Sequence, residues 1–310
     1  MDEAREIRDP MDQLDDMEFL ARRFEENRGH LRAVAYRMLG SVSEADDAVQ
    51  EAWIRLARTD IGDVDNLTGW LTTVTARVCL NMLRSRQTRR EDPLDVFIPE
   101  PILGPDGGSD PEHEALLADS VGLALLVVLE MLSPAERLAF VLHDMFAMSF
   151  DEIAPLVDRT PAAARQLASR ARRRVQGAAP VQDPDVAQQR QVVEAWLDAT
   201  RSGDFDALVS LLDPDVLLRV DYGPTPIGVN QLIRCAHAVA SQARLYAQAA
   251  AAARTILVNG MPGLISVLDG KVFSVGALTV TNGKIVEIDI IVDPERLAKL
   301  DIAFLDDRGR

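Results

Sequence analysis

A stretch rich in proline and glycine, residues 91–114, constrains the fold of this chain more than any other feature. It holds five prolines and three glycines, so neither a long helix nor a central strand can pass through it. Since 310 residues also exceed one ordinary core, we expect several folding units. The predicted parts are a helical domain at 17–92, a linker at 93–114, a second helical domain at 115–177 and a third domain at 186–305.

Residues 17–90 show apolar side chains at helical spacing. One helix is predicted to end at Gly40, and a second to open at Ser43, where Asp46 completes a pattern close to a capping box. The second helix turns its alanines inward and carries an acidic outer stripe of Asp47, Gln50, Glu51 and Ile54. Such a stripe suits a basic protein partner and repels DNA, although a solvated acidic face is the alternative.

Residues 150–174 carry the strongest local signal. A short helix at 150–157 is followed by the turn Asp158-Arg159, and Thr160 can cap a second helix that starts with Pro161. This is the arrangement of a helix-turn-helix motif. The second helix is expected to expose Arg165, Gln166, Ser169, Arg170 and Arg173. Arginine and glutamine suit base edges in the major groove, and serine and further arginines suit phosphates. A basic helical hairpin without DNA is the alternative.

The third domain changes from helical to strand patterning. Helices are expected at 186–201, 204–212 and near 229–242, and strands at 216–220, 255–258, 263–268, 272–281 and 285–292. The dipeptides Asp269-Gly270 and Asn282-Gly283 are strong hairpin signals between the later strands. This order predicts an α+β cone, in which helices wrap a curved sheet around an interior pocket.

Charge is distributed unevenly along the chain. The net charge of −16 argues against nonspecific wrapping of nucleic acid. Residues 84–90 and 159–174 nevertheless hold arginine clusters without any acid, which fits two local DNA contacts. No apolar run is long enough to span a membrane, and the acidic N-terminus lacks a signal core, so we expect a cytoplasmic protein without membrane contact. Cys79 and Cys235 are too isolated to indicate a disulfide framework or zinc site, and no metal or cofactor is expected.

These segments together resemble the extracytoplasmic-function (ECF) RNA polymerase sigma factors. The matching segments are Ser-Glu-Ala-Asp-Asp-Ala-Val-Gln-Glu-Ala-Trp-Ile-Arg-Leu (43–56), Gly-Trp-Leu-Thr-Thr-Val-Thr-Ala-Arg-Val-Cys-Leu-Asn-Met-Leu-Arg-Ser (69–85), Leu-Ser-Pro-Ala-Glu-Arg-Leu-Ala-Phe-Val-Leu (132–142) and the basic helix at 162–174. More narrowly, the chain is similar to the sigma J and sigma I type, which carries a SnoaL-like C-terminal domain of the NTF2-like fold. The resemblance implies an alternative sigma factor rather than an enzyme, with two all-α domains followed by an α+β cone.

The resemblance also implies which residues bind each partner. Core RNA polymerase would be bound through its β′ clamp helices and β flap, and the clamp-binding residues are Asp46, Asp47, Val49, Gln50, Glu51 and Trp53. The −10 promoter element would be held by the loop at about 60–68 with Asn81, Arg84, Arg86, Arg89 and Arg90. The −35 element would be read by the five exposed residues of the basic helix. The linker, whose Phe-Ile-Pro-Glu-Pro (97–101) resembles a Trp-Leu-Pro-Glu-Pro motif, would follow the RNA exit path.

The role of the third domain stays open at the level of sequence. SnoaL-like enzymes use acid and base side chains inside the cone, and the candidate pocket or regulatory residues are Asp221, Tyr222, His237, Asp289 and Asp293. The glycine-rich and Asn-Pro-Asp-Lys motifs of the group are replaced here by Asp221-Tyr-Gly-Pro-Thr-Pro-Ile-Gly and Asp293-Pro-Glu-Arg-Leu. We expect this domain to modulate the sigma halves. The alternatives are a SnoaL-like enzyme or ligand sensor tethered to a DNA-binding module, with a small molecule as its ligand, and a one-component repressor.

Overall fold

The first helical domain consists of three packed helices. The computed structural model describes residues 10–59, 66–89, 97–106, 122–180, 182–183, 185–223 and 230–305. The helices are α1 (Pro10–Leu39), α2 (Val42–Leu56) and α3 (Leu67–Arg89). Gly40 has a φ of +66° and ends α1 as predicted. The cap of α2 is Ser41, not Ser43, because the chain is already extended at Ser41 and its hydroxyl accepts the amide of Glu44 at 3.4 Å.

The second helical domain contains the predicted helix-turn-helix. Its helices are α4 (Leu123–Glu130), α5 (Pro134–Phe140, continued by a π turn at Val141–Met145), α6 (Phe150–Ile153, continued by a 3-10 turn at Ala154–Leu156) and α7 (Pro161–Ala178). Capping boxes start α5 at Ser133 and α6 at Ser149. Asp158, with a φ of +54°, makes the turn before α7. Local capping and turn chemistry therefore fixes the boundaries that the sequence indicated.

The third domain is α+β. Its elements are α8 (Val186–Ser202), α9 (Phe205–Leu211), β2 (Leu212–Asp221), β3 (Gln231–Arg234), α10 (Ala236–Leu245), α11 (Ala247–Ala251), β4 (Ala253–Val258), β5 (Met261–Leu268), β6 (Lys271–Thr281), β7 (Lys284–Ile291) and α12 (Pro294–Leu297). The prediction of one helix near 229–242 is wrong in its first part. Residues 231–234 pair with β2 as a strand, and Cys235, with a φ of +71°, separates that strand from α10.

One seven-stranded sheet organises this domain, in the order β1-β4-β5-β6-β7-β2-β3. Its first strand, β1 (Leu103–Gly104), comes from the linker between the two helical domains. The predicted hairpin turns Asp269-Gly270 and Asn282-Gly283 both have positive φ, as does a third turn, Asn259-Gly260. Irregular registers after Ser266 and Thr279 bend the sheet. The predicted fold class, two helical domains and an α+β cone, is confirmed.

The two faces of the sheet have different neighbours. On the inner face, Leu218 and Ile288 pack with Trp196 of α8 and Val239 of α10. On the outer face, buried isoleucines and valines belong to the same apolar core as the helices of the first two domains; they are Ile256, Val258, Ile265, Val275 and Ile291. The third domain is therefore fixed to the rest of the chain by buried apolar surface, which is the main favourable term in packing.

The described residues contain neither a membrane-crossing helix nor a cluster of metal-binding side chains. None of their helices has the length and hydropathy that a membrane crossing requires. Among the same residues, no group of three or more histidine, cysteine, aspartate or glutamate side chains is arranged to hold a metal ion.

Candidate nucleic-acid interface

The solvent face of α7 carries the polar side chains that the sequence assigned to it. Three alanines, Ala164, Ala168 and Ala171, are fully buried against the rest of the domain. The side chains exposed on the opposite face are Arg165, Gln166, Ser169, Arg170 and Arg173. Thr160 caps the helix by accepting the amide of Ala163 at 3.3 Å. The helix is thus a rigid support for a basic surface.

Glu136 of α5 neutralises part of this surface. Its two carboxylate oxygens lie 3.1 Å from Nε of Arg170 and 3.0 Å from Nη1 of Arg174. Burial alone would raise the pKa of Glu136, but hydrogen bonds from Ser133 and Arg170 and the charge of Arg174 hold that pKa below its ordinary value. Glu136 is therefore an anion that fixes two arginines beside the exposed basic face of the helix.

Two further arginines of α7 are oriented by their neighbours. The guanidinium of Arg165 lies over the ring of Phe150, 5.3 Å from its centroid. Nε of Arg172 donates to Asp144 at 2.8 Å. Arg165 keeps its hydrogen-bond donors, because stacking on a ring uses the face of the guanidinium and not its edge.

The outer face of α2 is acidic, as predicted. Asp47 and Gln50 are exposed. Asp46 is paired with Arg32 at 2.7 Å, and Glu51 with Arg55 at 2.9 Å. Trp53 is half-buried, and its ring centroid lies 5.2 Å from that of Phe24. Val49, which the resemblance placed on this surface, is only 1% exposed and packs in the core, so it supports the surface from below.

The residues expected at the −10 element have different environments on α3. Asn81 and Arg84 are exposed. Arg86 instead points into the protein, where its Nη1 donates to the carbonyl of Leu39 at 3.0 Å and its Nε to Glu44 at 3.2 Å. In this arrangement Arg86 joins α3 to the end of α1 and the start of α2. Arg90, the side chain of Arg89 and residues 60–65 of the expected loop lie outside the described residues.

Glu100 of the linker is bound at the junction between α1 and α2. Its amide donates to the carbonyl of Gly40 at 2.8 Å, and its carboxylate accepts the hydroxyl of Ser41 at 2.9 Å and the amide of Val42 at 3.1 Å. A Cβ at Gly40 would lie only 3.2 Å from Cβ of Pro99, so a glycine suits this close approach as well as its positive φ. Glu100 thus caps α2 from outside.

Asn259, in the turn between β4 and β5, joins the sheet to both the linker and the first domain. Its side-chain oxygen accepts the backbone amide of Ile102 at 2.9 Å, and its backbone amide donates to the carbonyl of Ile102 at 2.7 Å. Its Nδ2 donates to the hydroxyl of Tyr36 at 3.0 Å, and that hydroxyl donates to the carbonyl of Glu100 at 2.7 Å. Asn259 is fully buried, so each of these bonds satisfies a group that has lost its water.

Comparisons with known proteins identify the family. The family model for Sigma-70 region 2 matches residues 23–89, and the model for Sigma-70, region 4 matches residues 122–175. The probable ECF RNA polymerase sigma factor SigI of Mycobacterium tuberculosis is 36% identical over 281 residues, covering 88% of this chain and 93% of that protein. The chain belongs to the ECF sigma factor family.

A second relative from Mycobacterium tuberculosis supports the same assignment for the third domain as well. The ECF sigma factor SigJ is 38% identical over 290 residues, covering 88% of this chain and 91% of SigJ. The crystal structure of SigJ aligns with a TM-score of 0.74 at 34% identity, over 91% of this chain and 99% of that one. The similarity to the sigma J and sigma I type is therefore confirmed along nearly the whole chain.

In this sigma factor the candidate pocket residues do not form one site. Asp221 faces the linker, where its carboxylate accepts the amide of Ile98 at 3.1 Å and Nη1 of Arg296 at 2.6 Å. Arg296 also donates to the carbonyl of Ile98 and lies over the ring of Phe97, 5.0 Å from its centroid. Asp293 caps α12 by accepting the amide of Glu295 at 2.9 Å. Asp221 thus binds the linker at the end of β2, and Asp293 caps a helix; neither lines the interior cavity.

The other three candidates are also separated. Asp289 is buried on the outer face beside Glu287, and both are paired with Arg219, whose Nη1 lies 2.9 Å from Asp289. Burial raises the pKa of Asp289, and the charge of Arg219 opposes that rise. His237 is exposed on α10. Only Tyr222 faces inward; its hydroxyl lies 2.6 Å from that of Tyr246, and burial together with this hydrogen bond raises the pKa of Tyr222 to about 12.

Sequence reasoning missed several residues with central contacts, namely Glu100, Glu136, Asn259 and Arg296. Two of them, Glu136 and Arg296, lie in segments already compared with the family, 132–142 and Asp293-Pro-Glu-Arg-Leu. Glu100 lies in the Phe-Ile-Pro-Glu-Pro segment, and Asn259 precedes Gly260 in the same kind of dipeptide that marked the other two hairpins. None of these signals names a partner, because the contacts of Asn259 with Ile102 and Tyr36 span 157 and 223 residues of sequence.

Proposed function

We propose that this sigma factor binds core RNA polymerase and directs promoter-specific transcription initiation in the cytoplasm. One observation carries the proposal: the region 2 and region 4 matches lie in family order on either side of the linker, and the region 4 match contains a helix-turn-helix with an exposed basic helix. A helix in this motif enters the major groove and reads base edges.

The exposed face of α7 is proposed to read the −35 element. Arg165 and Gln166 carry the donors and acceptors that recognise guanine and adenine, and Ser169 and Arg173 suit the phosphates. Arg170 belongs to the same face, but its pairing with Glu136 reduces its charge toward DNA. We assign Arg170 a supporting electrostatic role. We also propose that this domain docks on the β flap of the polymerase.

The acidic face of α2 is proposed to bind the β′ clamp helices of the polymerase. Asp47 and Gln50 are exposed there, and Glu51 and Trp53 border them. A negative surface repels phosphates, so its partner is a protein with a basic surface. Asn81 and Arg84 of α3 are proposed to contact the melted −10 strand, where cations stabilise the phosphates and a flipped base needs a pocket. Arg86 can contact the strand only if its ion pair with Glu44 breaks.

The third domain is proposed to modulate activity by holding the sigma factor in a closed arrangement. Nη1 of Arg137 in α5 donates to the carbonyl of Met38 in α1 at 3.0 Å, so the two helical domains are in direct contact. The −10 and −35 elements are about 25 base pairs apart, roughly 85 Å at 3.4 Å per base pair. Two domains packed against each other cannot span that distance, so promoter binding requires them to separate.

The linker is the part of the closed arrangement that the third domain holds directly. Leu103 and Gly104 pair with β4 as an edge strand. Asp106, further along, accepts the hydroxyl of Thr255 at 3.2 Å and is paired with Arg190 of α8. A linker bound in this way is not available for the RNA exit path of the polymerase.

We propose that the third domain is a regulator and not an enzyme. Its buried carboxylates Asp221, Asp289 and Asp293 lie in ion pairs or helix caps that use their lone pairs, and they face away from the interior. General acid or base catalysis needs such a group beside a bound substrate. The charge arrangement of the outer face instead fits a role in holding the linker.

The test is a charge reversal on the acidic face of α2. In Asp47→Lys the affinity for core polymerase is expected to fall at least about tenfold, equal to roughly 1.4 kcal/mol, because a lysine would oppose a basic partner. The matched control is Glu194→Lys, which makes the same charge change at an exposed position of α8. Binding is measured with purified core polymerase, followed by transcription from a matching promoter.

Two results would contradict the proposal. If Asp47→Lys and Glu194→Lys bind core polymerase equally well, the acidic face is not the polymerase surface. If neither wild type nor control supports any transcription but both bind specific DNA, the chain acts as a repressor through the helix-turn-helix alone.

A further inference from the structure

The third domain contains an apolar cavity, partly open to solvent, that takes no part in the proposed contacts with DNA, polymerase or linker. It has a volume of about 110 Å³ and lies between the inner face of the sheet and helices α8, α10 and α11. Its wall is mainly aliphatic and aromatic, with Trp196, Leu218, Val239, Leu264, Ile288 and Ile290 among the lining residues. Phe273, at 43% exposed, lies at its edge.

No charged side chain lines this cavity among the described residues. Its polar side chains are already engaged or neutral: Thr200 donates to the carbonyl of Trp196 at 2.8 Å, and Gln242 donates to Gln231 at 3.1 Å. The hydroxyl of Tyr246 shares its hydrogen bond with Tyr222. An ionised group placed here would lose its water without gaining a counter-charge, so an occupant must be neutral.

The size of the cavity limits the occupant further. An engineered protein cavity of about 150 Å³, lined by similar apolar residues, stays dry and takes up benzene. Drug-sized ligands occupy pockets of roughly 300–1,000 Å³, and a peptide segment needs more space still. A volume of about 110 Å³ therefore suits a single ring with few substituents.

We propose that this cavity binds a small, uncharged, single-ring organic molecule bearing one hydroxyl or carbonyl group. The apolar wall holds the ring, and the hydroxyl of Tyr246, which lines the cavity and shares a hydrogen bond with Tyr222, offers a donor or an acceptor to the polar substituent. The inference deepens the proposed regulatory role of the third domain and rests on it for its biological purpose, whereas the binding itself is independent of transcription.

The position of the cavity connects it with the linker. Side chains alternate across a strand, so Leu264 and Ile290 face the cavity while their neighbours Ile265 and Ile291 pack in the core shared with the sigma helices. An occupant is thus separated by one sheet from the surface that binds the linker. Bound molecules of this class would change the packing of the strands that hold β1.

The probe for the experiment is 4-fluorophenol, which is neutral near pH 7, with 4-fluorobenzoate as its charged counterpart. Binding to the full-length chain is followed by fluorine NMR, without polymerase or DNA. The cavity is filled by Gly276→Leu, because a Cβ at Gly276 meets only Ile290 and Leu264, each at 3.9 Å. The matched control is Gly29→Leu, on an exposed part of α1 where nothing lies within 4 Å of a new Cβ.

Wild type and Gly29→Leu are expected to bind 4-fluorophenol with equal affinity, and Gly276→Leu to lose at least about tenfold. No binding of 4-fluorobenzoate is expected. A wild type that does not bind 4-fluorophenol at millimolar concentration, a Gly276→Leu protein that binds it normally, or equal binding of the charged probe overturns the proposal. Should Gly276→Leu fail to fold by circular dichroism, Ala243→Leu fills the same cavity from α10 and the same outcomes apply. Since polymerase is absent, failure of the sigma factor proposal leaves this result unaffected.

Discussion

At the scale of single residues, several arginines of a kind that binds DNA also form the internal ion pairs that stabilise the two helical domains. Arg86 binds Glu44 and the carbonyl of Leu39, and Arg170 and Arg174 share Glu136. A guanidinium offers five donors, so one arginine can serve an internal carboxylate and still face a phosphate. The exposed surface of α7 is therefore less positive than its arginine count indicates, which favours selective over nonspecific binding.

Glu136 gives a pH-dependent prediction. Its pKa is lowered in the folded protein, so its stabilising contribution is fully present above the ordinary value of 4.5 and is lost as the pH falls through the lowered pKa. Glu136→Gln is expected to reduce the free energy of unfolding by about 1–2 kcal/mol near neutral pH, because charged hydrogen bonds are lost. The wild type and the variant should converge only as the pH falls through this lowered pKa, below the ordinary value of 4.5.

Denaturant unfolding at neutral and at acidic pH measures this difference. The control is Glu194→Gln, which neutralises an exposed glutamate without an ion pair in the described structure. A constant difference between Glu136→Gln and wild type across the whole range would show that the ionised carboxylate is not what stabilises the domain.

At the scale of elements, the decisive feature is that a linker segment becomes an edge strand of another domain's sheet. Proline at positions 99 and 101 keeps the preceding segment extended, and Leu103 and Gly104 then pair with β4. An unpaired sheet edge is a site for strand addition, and here the chain covers its own edge. The side chain of Asn259 adds one hydrogen bond to the linker, from the amide of Ile102, and one to the hydroxyl of Tyr36 in α1.

Asn259→Gly tests that extension. Glycine tolerates the positive φ at this turn, so the change removes the side-chain bonds to Ile102 and Tyr36 while the turn itself persists. Hydrogen exchange of the Ile102 amide is expected to accelerate roughly tenfold or more, the equivalent of about 1.4 kcal/mol. Asn282→Gly makes the same substitution in a matching Asn-Gly turn without linker contacts. Equal protection of Ile102 in both variants would mean that Asn259 does not hold the linker.

At the scale of the whole molecule, the outer face of the sheet, the linker and both helical domains share one buried core. Their separation therefore exposes apolar surface, and binding to the polymerase has to compensate for that loss. In the proposed mechanism the third domain controls activity, since any change in its hold on the linker changes the free energy of opening.

A reversible disulfide across β1 and β4 tests the need for opening. Leu103 and Val258 are directly opposite in the strand pair and both are buried, so Leu103→Cys with Val258→Cys can cross-link the linker to the sheet. The background is Cys235→Ser, which removes the exposed native thiol. The oxidised protein is expected to lose most of its transcription activity with core polymerase, and a reductant should restore it.

The single variant Cys235→Ser, treated with the same oxidant, is the control for nonspecific damage. Activity that is the same in the oxidised and reduced double-cysteine protein would disprove the closed arrangement as a regulatory state.

The sequence by itself determined most of what depends on local periodicity and turn chemistry, apart from the strand at 231–234 and the cap at Ser41. Helical spacing separated the buried alanines of α7 from the exposed Arg165 and Arg173, Thr160 and Pro161 marked where that helix starts, and Asn282-Gly283 marked a hairpin. The order of these motifs was sufficient for the family, because each is a short segment whose residues interact with one another or with a single partner.

Only the tertiary structure decided which of these side chains already bind other groups of the protein. It also decided which face of the sheet each strand residue occupies. Val49 proved buried, Arg86 turned inward, and Asp221 and Asp289 faced the linker side and not the interior. A one-residue shift in register moves every side chain of a strand to the other face, and the sequence does not show that register. Nor does it show a contact between distant residues, such as that of Asn259 with Tyr36, which lies 223 residues away. Such contacts exist only once the third domain has packed on the other two.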